Sequence, residues 1–111
     1  MKIDHQTFGT VDVCMPIGAL VDEDAERVRE HLRVRAEGHS PRFVVGMEEV
    51  PYMDSAAVEG MLEVAETLQS SGVRLKLVGV TSTCREIFEI TGVSNHFQFF
   101  DNVEDAVRSF L

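Results

Sequence analysis

The feature that most constrains the fold is a repeated change between two hydrophobic periods along the chain. In "TVDVCMPI", apolar residues alternate at Val11, Val13 and Met15, a pattern typical of a strand, and Gly9-Thr10 before it predicts a hairpin turn. From Asp22 the apolar residues recur at helical spacing, and Gly38 follows the last of them as a stop signal. Strand therefore gives way to helix over a short connection.

The same change occurs three more times. The run "RFVVGMEEV" predicts a buried strand, and after Pro51 a helical stripe consists of Val58, Met61, Leu62, Ala65 and Leu68. "VRLKLVGV" predicts a strand with Arg74 and Lys76 on its second face. "STCREIFEITG" predicts a helix with Thr83 and Glu86 at capping-box spacing and Gly92 at its end. "HFQFFDN" and "VEDAVRSFL" predict a last strand and a short helix.

The predicted order is β-β-α-β-α-β-α-β-α, and its connections are short. Strands that alternate with helices form a sheet whose parallel neighbours are joined by right-handed helical crossovers. The sequence therefore predicts a single α/β domain over residues 1–111, with a mixed sheet of four to five strands and about four helices.

Charge and composition exclude several classes of function. The net charge is −9, from 19 acidic and 10 basic residues, which disfavours binding to phosphate backbones and anionic lipid surfaces. The polar start "MKIDHQTF" is unlike a secretory signal, and no apolar run approaches the ~18 residues of a membrane span. We expect a cytoplasmic protein, with Cys14 and Cys84 as reduced core thiols.

Motifs for catalysis or cofactor binding do not stand out. The glycines lack the spacing of either nucleotide-binding fingerprint, and no serine lies in a nucleophile-elbow pattern. None of the four histidines (His5, His31, His39 and His96) has a Cys, Asp or Glu partner at metal-ligand spacing. The sequence predicts neither an enzyme nor a metal or cofactor site.

The stretch "PYMDSAAVEG" places Asp54 and Ser55 where the buried strand gives way to the second helix. Either side chain can accept a hydrogen bond from a free backbone N–H at the helix start. If Asp54 is the N-cap, the hydroxyl of Ser55 is free to face solvent beyond the carboxyl end of a strand. Binding sites of open α/β sheets tend to lie at that edge.

Several segments together resemble the STAS domain, the fold of bacterial anti-sigma factor antagonists. They are "IGAL" after the early strand, "MDSAA", "SSGVRLKLVGV", "IFEITGV" and the final acidic helix "NVEDAVRSFL", and they span nearly the whole chain. The resemblance implies a protein that binds an anti-sigma factor which is also a serine kinase. It implies that Ser55 is phosphorylated and that phosphorylation releases the complex.

The same resemblance implies a partner-binding surface around Ser55. Its expected members are Asp22, Asp54, Ser55, Ala56, Val58 and Glu59. The chain departs from the usual Asp-Ser-Ser/Thr-Gly motif at Ala56 and Ala57, has Val21 where the family often has an acid, and has Gly46 where Asp or Asn is common.

Two alternatives follow. The departures favour a docking subunit of a transporter or a sensory assembly that is not phosphorylated, in which an Ala56-Ala57-Val58 patch packs constitutively against its partner. The backbone N–H groups of the helix start also favour a nucleotide or another small anionic ligand, provided that the fold brings Arg42 or Arg85 near them.

Overall fold

The computed structural model describes residues 1–38 and 42–111, and a five-stranded sheet organises them. The strands are β1 (Lys2–Phe8), β2 (Val11–Ile17), β3 (Phe43–Gly46), β4 (Leu75–Val78) and β5 (Phe97–Phe100). The helices are α1 (Asp22–Ala36), α2 (Ser55–Gln69), α3 (Ser82–Ile90) and α4 (Val103–Arg108), with a short 3₁₀ turn at Ser94–His96. The predicted order of strands and helices is confirmed.

The sheet is mixed, with the strands side by side in chain order. β1 pairs with β2 in antiparallel register, and the remaining neighbours are parallel. Gly9 makes the β1–β2 turn with a φ of 63°, a left-handed conformation that glycine adopts without the steric cost of a side chain. Each parallel pair is joined through one of the helices α1 to α3, as the predicted crossovers require.

Two hydrophobic clusters cover the two faces of the sheet. The larger cluster joins one sheet face to α1, α2 and α3 and includes Leu32, Met61 and Phe88. The smaller one packs the other face against Ala106 of α4. Parallel strands covered on both faces are buried throughout, and every residue of β3 and β4 is buried.

The second face of β4 carries Lys76, as the alternation predicted. Lys76 does lie on the face opposite Leu75 and Leu77, but α4 and the chain end cover that face and leave the side chain 7% exposed. Its Nζ donates to Oε1 of Gln98 over 2.8 Å and lies 4.6 Å from the ring centre of Phe110. A tertiary contact thus buries this side chain, which the alternation alone does not decide.

One predicted helix cap changes, whereas Gly38, Gly72 and Gly92 follow the ends of α1, α2 and α3 as predicted. The capping box at Thr83 and Glu86 is wrong, because Thr81 is the N-cap of α3 and its side chain accepts from the backbone N–H of Cys84. Gly38 follows α1 but is not in the left-handed region, whereas Gly72 and Gly92 are, with φ values of 78° and 75°. Among the described residues, no helix is long and apolar enough to cross a membrane.

Candidate functional site

The candidate site lies at the carboxyl edge of the sheet, where two loops run side by side. The loop after β2 and the loop after β3 are joined by three backbone hydrogen bonds. They run from Gly18 N–H to Glu49 O (2.9 Å), from Leu20 N–H to Tyr52 O (3.0 Å) and from Asp54 N–H to Leu20 O (3.0 Å). The starts of α1 and α2 are therefore held next to each other.

Asp54 connects these two helix starts through its carboxylate. Oδ1 accepts from the backbone N–H of Ala57 over 2.9 Å, which confirms Asp54 as the N-cap of α2. Oδ2 accepts from the backbone N–H of Asp22 over 2.8 Å. These hydrogen bonds, the one from Asp22 first and the one from Ala57 next, lower the pKa of Asp54.

The second hydrogen bond ties the start of α1 to the loop after β3. Val21 is the N-cap residue of α1, and its side chain makes no capping bond. Asp54 accepts from the N–H of Asp22, the first residue of α1, at the point where Asp22 has a φ of 51°. The start of α1 therefore depends on a residue 32 positions further along the chain.

Ser55 is the first residue of α2, and its side chain is exposed. Ala56 and Glu59 are exposed beside it, as are Tyr52 in the loop after β3 and Asp22 at the start of α1. We call this set, together with the half-buried Asp54, the helix-start surface. A hydroxyl at its centre is open to another macromolecule.

Val58 is not part of this surface, contrary to the expectation drawn from the resemblance. Val58 is 5% exposed and Ala57 3%, and both belong to the core between α2 and the sheet. The proposed Ala56-Ala57-Val58 contact patch therefore does not exist as an exposed apolar surface. The methyl group of Ala57 meets the protein's own interior rather than a partner.

The departure at Gly46 also has a local reason. A Cβ atom at Gly46 would lie 2.8 Å from Cγ of Met15 on the neighbouring strand, too close for any ordinary contact. The side chain of Met15 occupies the space that a larger residue at position 46 would need.

Tyr52 is the residue of this surface that sequence reasoning missed. Its side chain is 51% exposed, although it lies three residues before Ser55 between the buried Val50 and Met53. Exposed tyrosines are enriched among residues that dominate protein interfaces. The quoted "PYMDSAAVEG" contained the signal, an aromatic residue directly after proline at the end of a buried strand.

The arginines required for an anionic ligand lie elsewhere. Arg42 precedes β3, at the opposite end of the sheet, and donates to the hydroxyl of Thr10. Arg85 of α3 lies over the ring of Phe99, 3.7 Å from its centre, and pairs with Glu89. The structure therefore gives no support to a nucleotide or other anion at the start of α2.

Two of the histidines lie 26 positions apart in the sequence but close together in the structure. His5 and His31 lie in contact, and the thiol of Cys14 lies close to both. Spacing along the chain indicated no such group, because its members come from three different elements. This cluster is separate from the helix-start surface.

The model of the STAS domain family matches residues 2–106, and the chain belongs to that family. No curated protein sequence matches the chain.

Solved structures share the fold at low sequence identity. One is a Thermotoga maritima protein described as a candidate anti-sigma factor antagonist, with a TM-score of 0.86, 16% identity and coverage of 96% of this chain and 92% of that one. The Bacillus cell fate determinant SpoIIAA in its phosphorylated form has a TM-score of 0.75, 18% identity and coverage of 99% and 100%.

A third neighbour comes from a membrane protein. The murine anion transporter Solute Carrier 26 family member A9 matches with a TM-score of 0.77 and 17% identity. The match covers 94% of this chain and 18% of the transporter. At these identities the likeness establishes the fold, which is found both in small regulators and as part of a much larger protein.

Proposed function

We propose that this protein is an anti-sigma factor antagonist of the partner-switching type. In this proposal it binds an anti-sigma factor that is also a serine kinase, and the kinase releases it by phosphorylating Ser55. The observation that carries the proposal is the exposed hydroxyl of Ser55 on the first residue of α2, directly after the capping Asp54. The fold shared with SpoIIAA, a protein solved in a phosphorylated form, supports it.

The charge around Ser55 determines what a phosphate would do to the folded protein. A phosphoserine carries about −1.5 to −2 charges at neutral pH. The helix dipole favours such a charge at a helix start by about 0.3 to 1 kcal/mol, while a like charge one turn away, here Glu59, costs about 0.2 to 0.5 kcal/mol. These terms nearly cancel, so the modified domain should stay folded.

The same charge would be costly inside a complex. A surface shaped around a neutral hydroxyl must desolvate the phosphate without a partner for it, which costs several kcal/mol. A cost of about 4 kcal/mol reduces affinity roughly a thousandfold. Phosphorylation therefore acts on the complex and not on the fold, as a release signal requires.

The partner is expected to present basic residues. Asp22, Asp54 and Glu59 surround Ser55, and the whole chain carries −9. Such a field increases the rate of encounter with a positively charged surface and disfavours acidic ones. We place the complex in the cytoplasm, where such a kinase acts.

The test compares two serines in the same local position. Ser82 is the exposed first residue of α3, directly after its N-cap, and is the matched control for Ser55. The tagged protein is used to isolate its partner from native lysate, and affinity is then measured with the purified partner. We expect Ser55→Ala to bind, Ser55→Asp to bind about a thousandfold more weakly and Ser82→Asp to bind like the unmodified chain.

Phosphate transfer is measured in the same preparation. With ATP and the purified partner, mass spectrometry should find phosphate on Ser55 and none on the Ser55→Ala variant. Equal affinity of the Ser55→Ala and Ser55→Asp variants would refute the proposal, as would a partner that transfers no phosphate.

A second candidate is a docking subunit that is not phosphorylated, within a transporter or sensory assembly. The similarity to part of an anion transporter favours it. In that case a stoichiometric partner is retained equally by both Ser55 variants, so the same measurement separates the two candidates.

A further inference from the structure

Three potential metal ligands converge on one side of the sheet, far apart in sequence. His5 of β1 lies directly opposite Cys14 of β2 in the antiparallel register, so that both side chains point to the same face. His31 reaches them from α1, and its Nε2 lies 2.9 Å from Nε2 of His5. The two nitrogens and the sulfur of Cys14 all lie within 4.8 Å of one another.

We propose that His5, Cys14 and His31 form a binding site for Zn²⁺ or a chemically similar divalent transition-metal ion. Two imidazole nitrogens and one thiolate are the donor types that zinc takes in proteins. Hard ions such as Mg²⁺ and Ca²⁺ prefer oxygen ligands and are expected to bind poorly. The inference does not depend on the function proposed for Ser55.

The spacing of the two histidine nitrogens suits such an ion after a small adjustment. Zinc–nitrogen distances of about 2.0 to 2.1 Å in a tetrahedral site place two ligand nitrogens about 3.3 Å apart. The two imidazoles must therefore separate by a few tenths of an ångström. His5 is exposed and free to turn, and its exposure leaves the fourth position to a water molecule or a partner's side chain.

The charges that face the cluster partly balance. Arg35 and Asp12, of opposite sign, both act on Cys14. Burial raises the pKa of the Cys14 thiol, and the charge of Arg35 opposes that rise.

A metal ion bound at this site would hold the edge strand β1 to β2 and α1. Within residues 1–38 and 42–111, β1 pairs with β2 alone, and the three ligands join β1, β2 and α1. Because the ion binds only where the fold brings the ligands together, its binding energy stabilises the folded state. His31 lies about 13 Å along α1 from Asp22, so the site is distinct from the helix-start surface.

The test uses the untagged full chain, stripped of metal and kept reduced. Calorimetry should show one Zn²⁺ bound per chain and no comparable heat with Mg²⁺, and Zn²⁺ should raise the unfolding temperature. Co²⁺ as a spectroscopic probe should give a thiolate charge-transfer band and the strong visible absorption of a tetrahedral site.

Variants decide whether these residues are the ligands. His5→Gln lies on the surface and should fold normally, yet weaken Zn²⁺ binding by about 100-fold or more, since even changes around a metal's ligands cost 10- to 100-fold. Cys14→Ala should remove the Co²⁺ thiolate band. The matched controls, His96→Gln and Cys84→Ala, should change neither.

Two results would overturn the proposal. One is Zn²⁺ binding by the unchanged chain that His5→Gln does not weaken. The other is the absence of any specific Zn²⁺ binding or thiolate band.

Discussion

The starts of α2 and α3 have the same local design and different surroundings. Each follows a buried parallel strand, each has a side-chain N-cap (Asp54 or Thr81), and each continues with an exposed serine. Beyond that they diverge. Asp54 accepts from the starts of two helices, whereas Thr81 accepts from Cys84 and donates to the carbonyl of Val50 beneath it.

The residues one turn further on differ in charge. Ser82 has Arg85 three positions later, so a phosphate there would find a cation on its own helix. Ser55 has the buried Val58 three positions later and the acidic Glu59 at four. A negative charge added at Ser55 therefore has no basic side chain one turn further along its own helix. It would act directly on a protein bound at this surface. The same helix-start pattern therefore specifies a capped helix in both regions, and the two regions differ in the charges nearby.

After the substitutions at Ser55 and Ser82, we expect the largest difference in partner affinity between the two regions from Tyr52. Tyr52→Ala should weaken binding of the purified partner by about 2 kcal/mol, or roughly thirtyfold, because it removes the large exposed aromatic ring beside Ser55. The matched control is Ile90→Ala, which truncates a 77% exposed residue at the end of α3. A similar loss from both variants, measured by calorimetry, would show that the contact is not centred on the helix-start surface.

The effect of Asp54→Asn on the unfolding temperature should depend on pH, which distinguishes the Asp54 cap from the Thr81 cap. An amide has one carbonyl oxygen and cannot replace both carboxylate oxygens, so the variant should unfold at a lower temperature at pH 7. The pKa of Asp54 is lowered in the folded state, so its contribution is present above the ordinary carboxyl pKa of about 4 and is lost as pH falls through the lowered value. The gap in unfolding temperature should therefore close in acid.

Thr81→Ala is the control for that measurement. It should cost about 1 kcal/mol as a lost N-cap, and this cost should stay constant with pH because a hydroxyl does not titrate in this range. A gap for Asp54→Asn that is equally constant from pH 7 to acid would contradict the role assigned to its carboxylate.

The smallest expected effect is the coupling free energy between position 55 and Glu59, one helical turn away. In unfolding experiments, the combination of Ser55→Asp with Glu59→Gln should show a coupling of about 0.2 to 0.5 kcal/mol, as the repulsion between like charges is relieved. Ser82→Asp combined with Arg85→Gln should show coupling of the opposite sign. Couplings of the same sign at both helices would show that the two surroundings do not differ electrostatically.

Local patterns were reliable where the physics is local. The order of strands and helices, the hairpin at Gly9 and the N-cap at Asp54 all depend on residues within a few positions of one another. Val58 is a further case in which the local pattern was reliable. Its place in the helical stripe already put it in the core, and the structure agrees with the periodicity rather than with the docking role that the family resemblance gave it.

By itself the sequence determined the alternation of elements and the position of Ser55 at a helix start, because periodicity and capping act over one or two turns. Only the tertiary structure decided that Asp54 also holds the start of α1, that Lys76 is buried and that His5, Cys14 and His31 meet. Each of these contacts joins elements that are separate in the sequence, and no local pattern specifies which residues of two elements will touch.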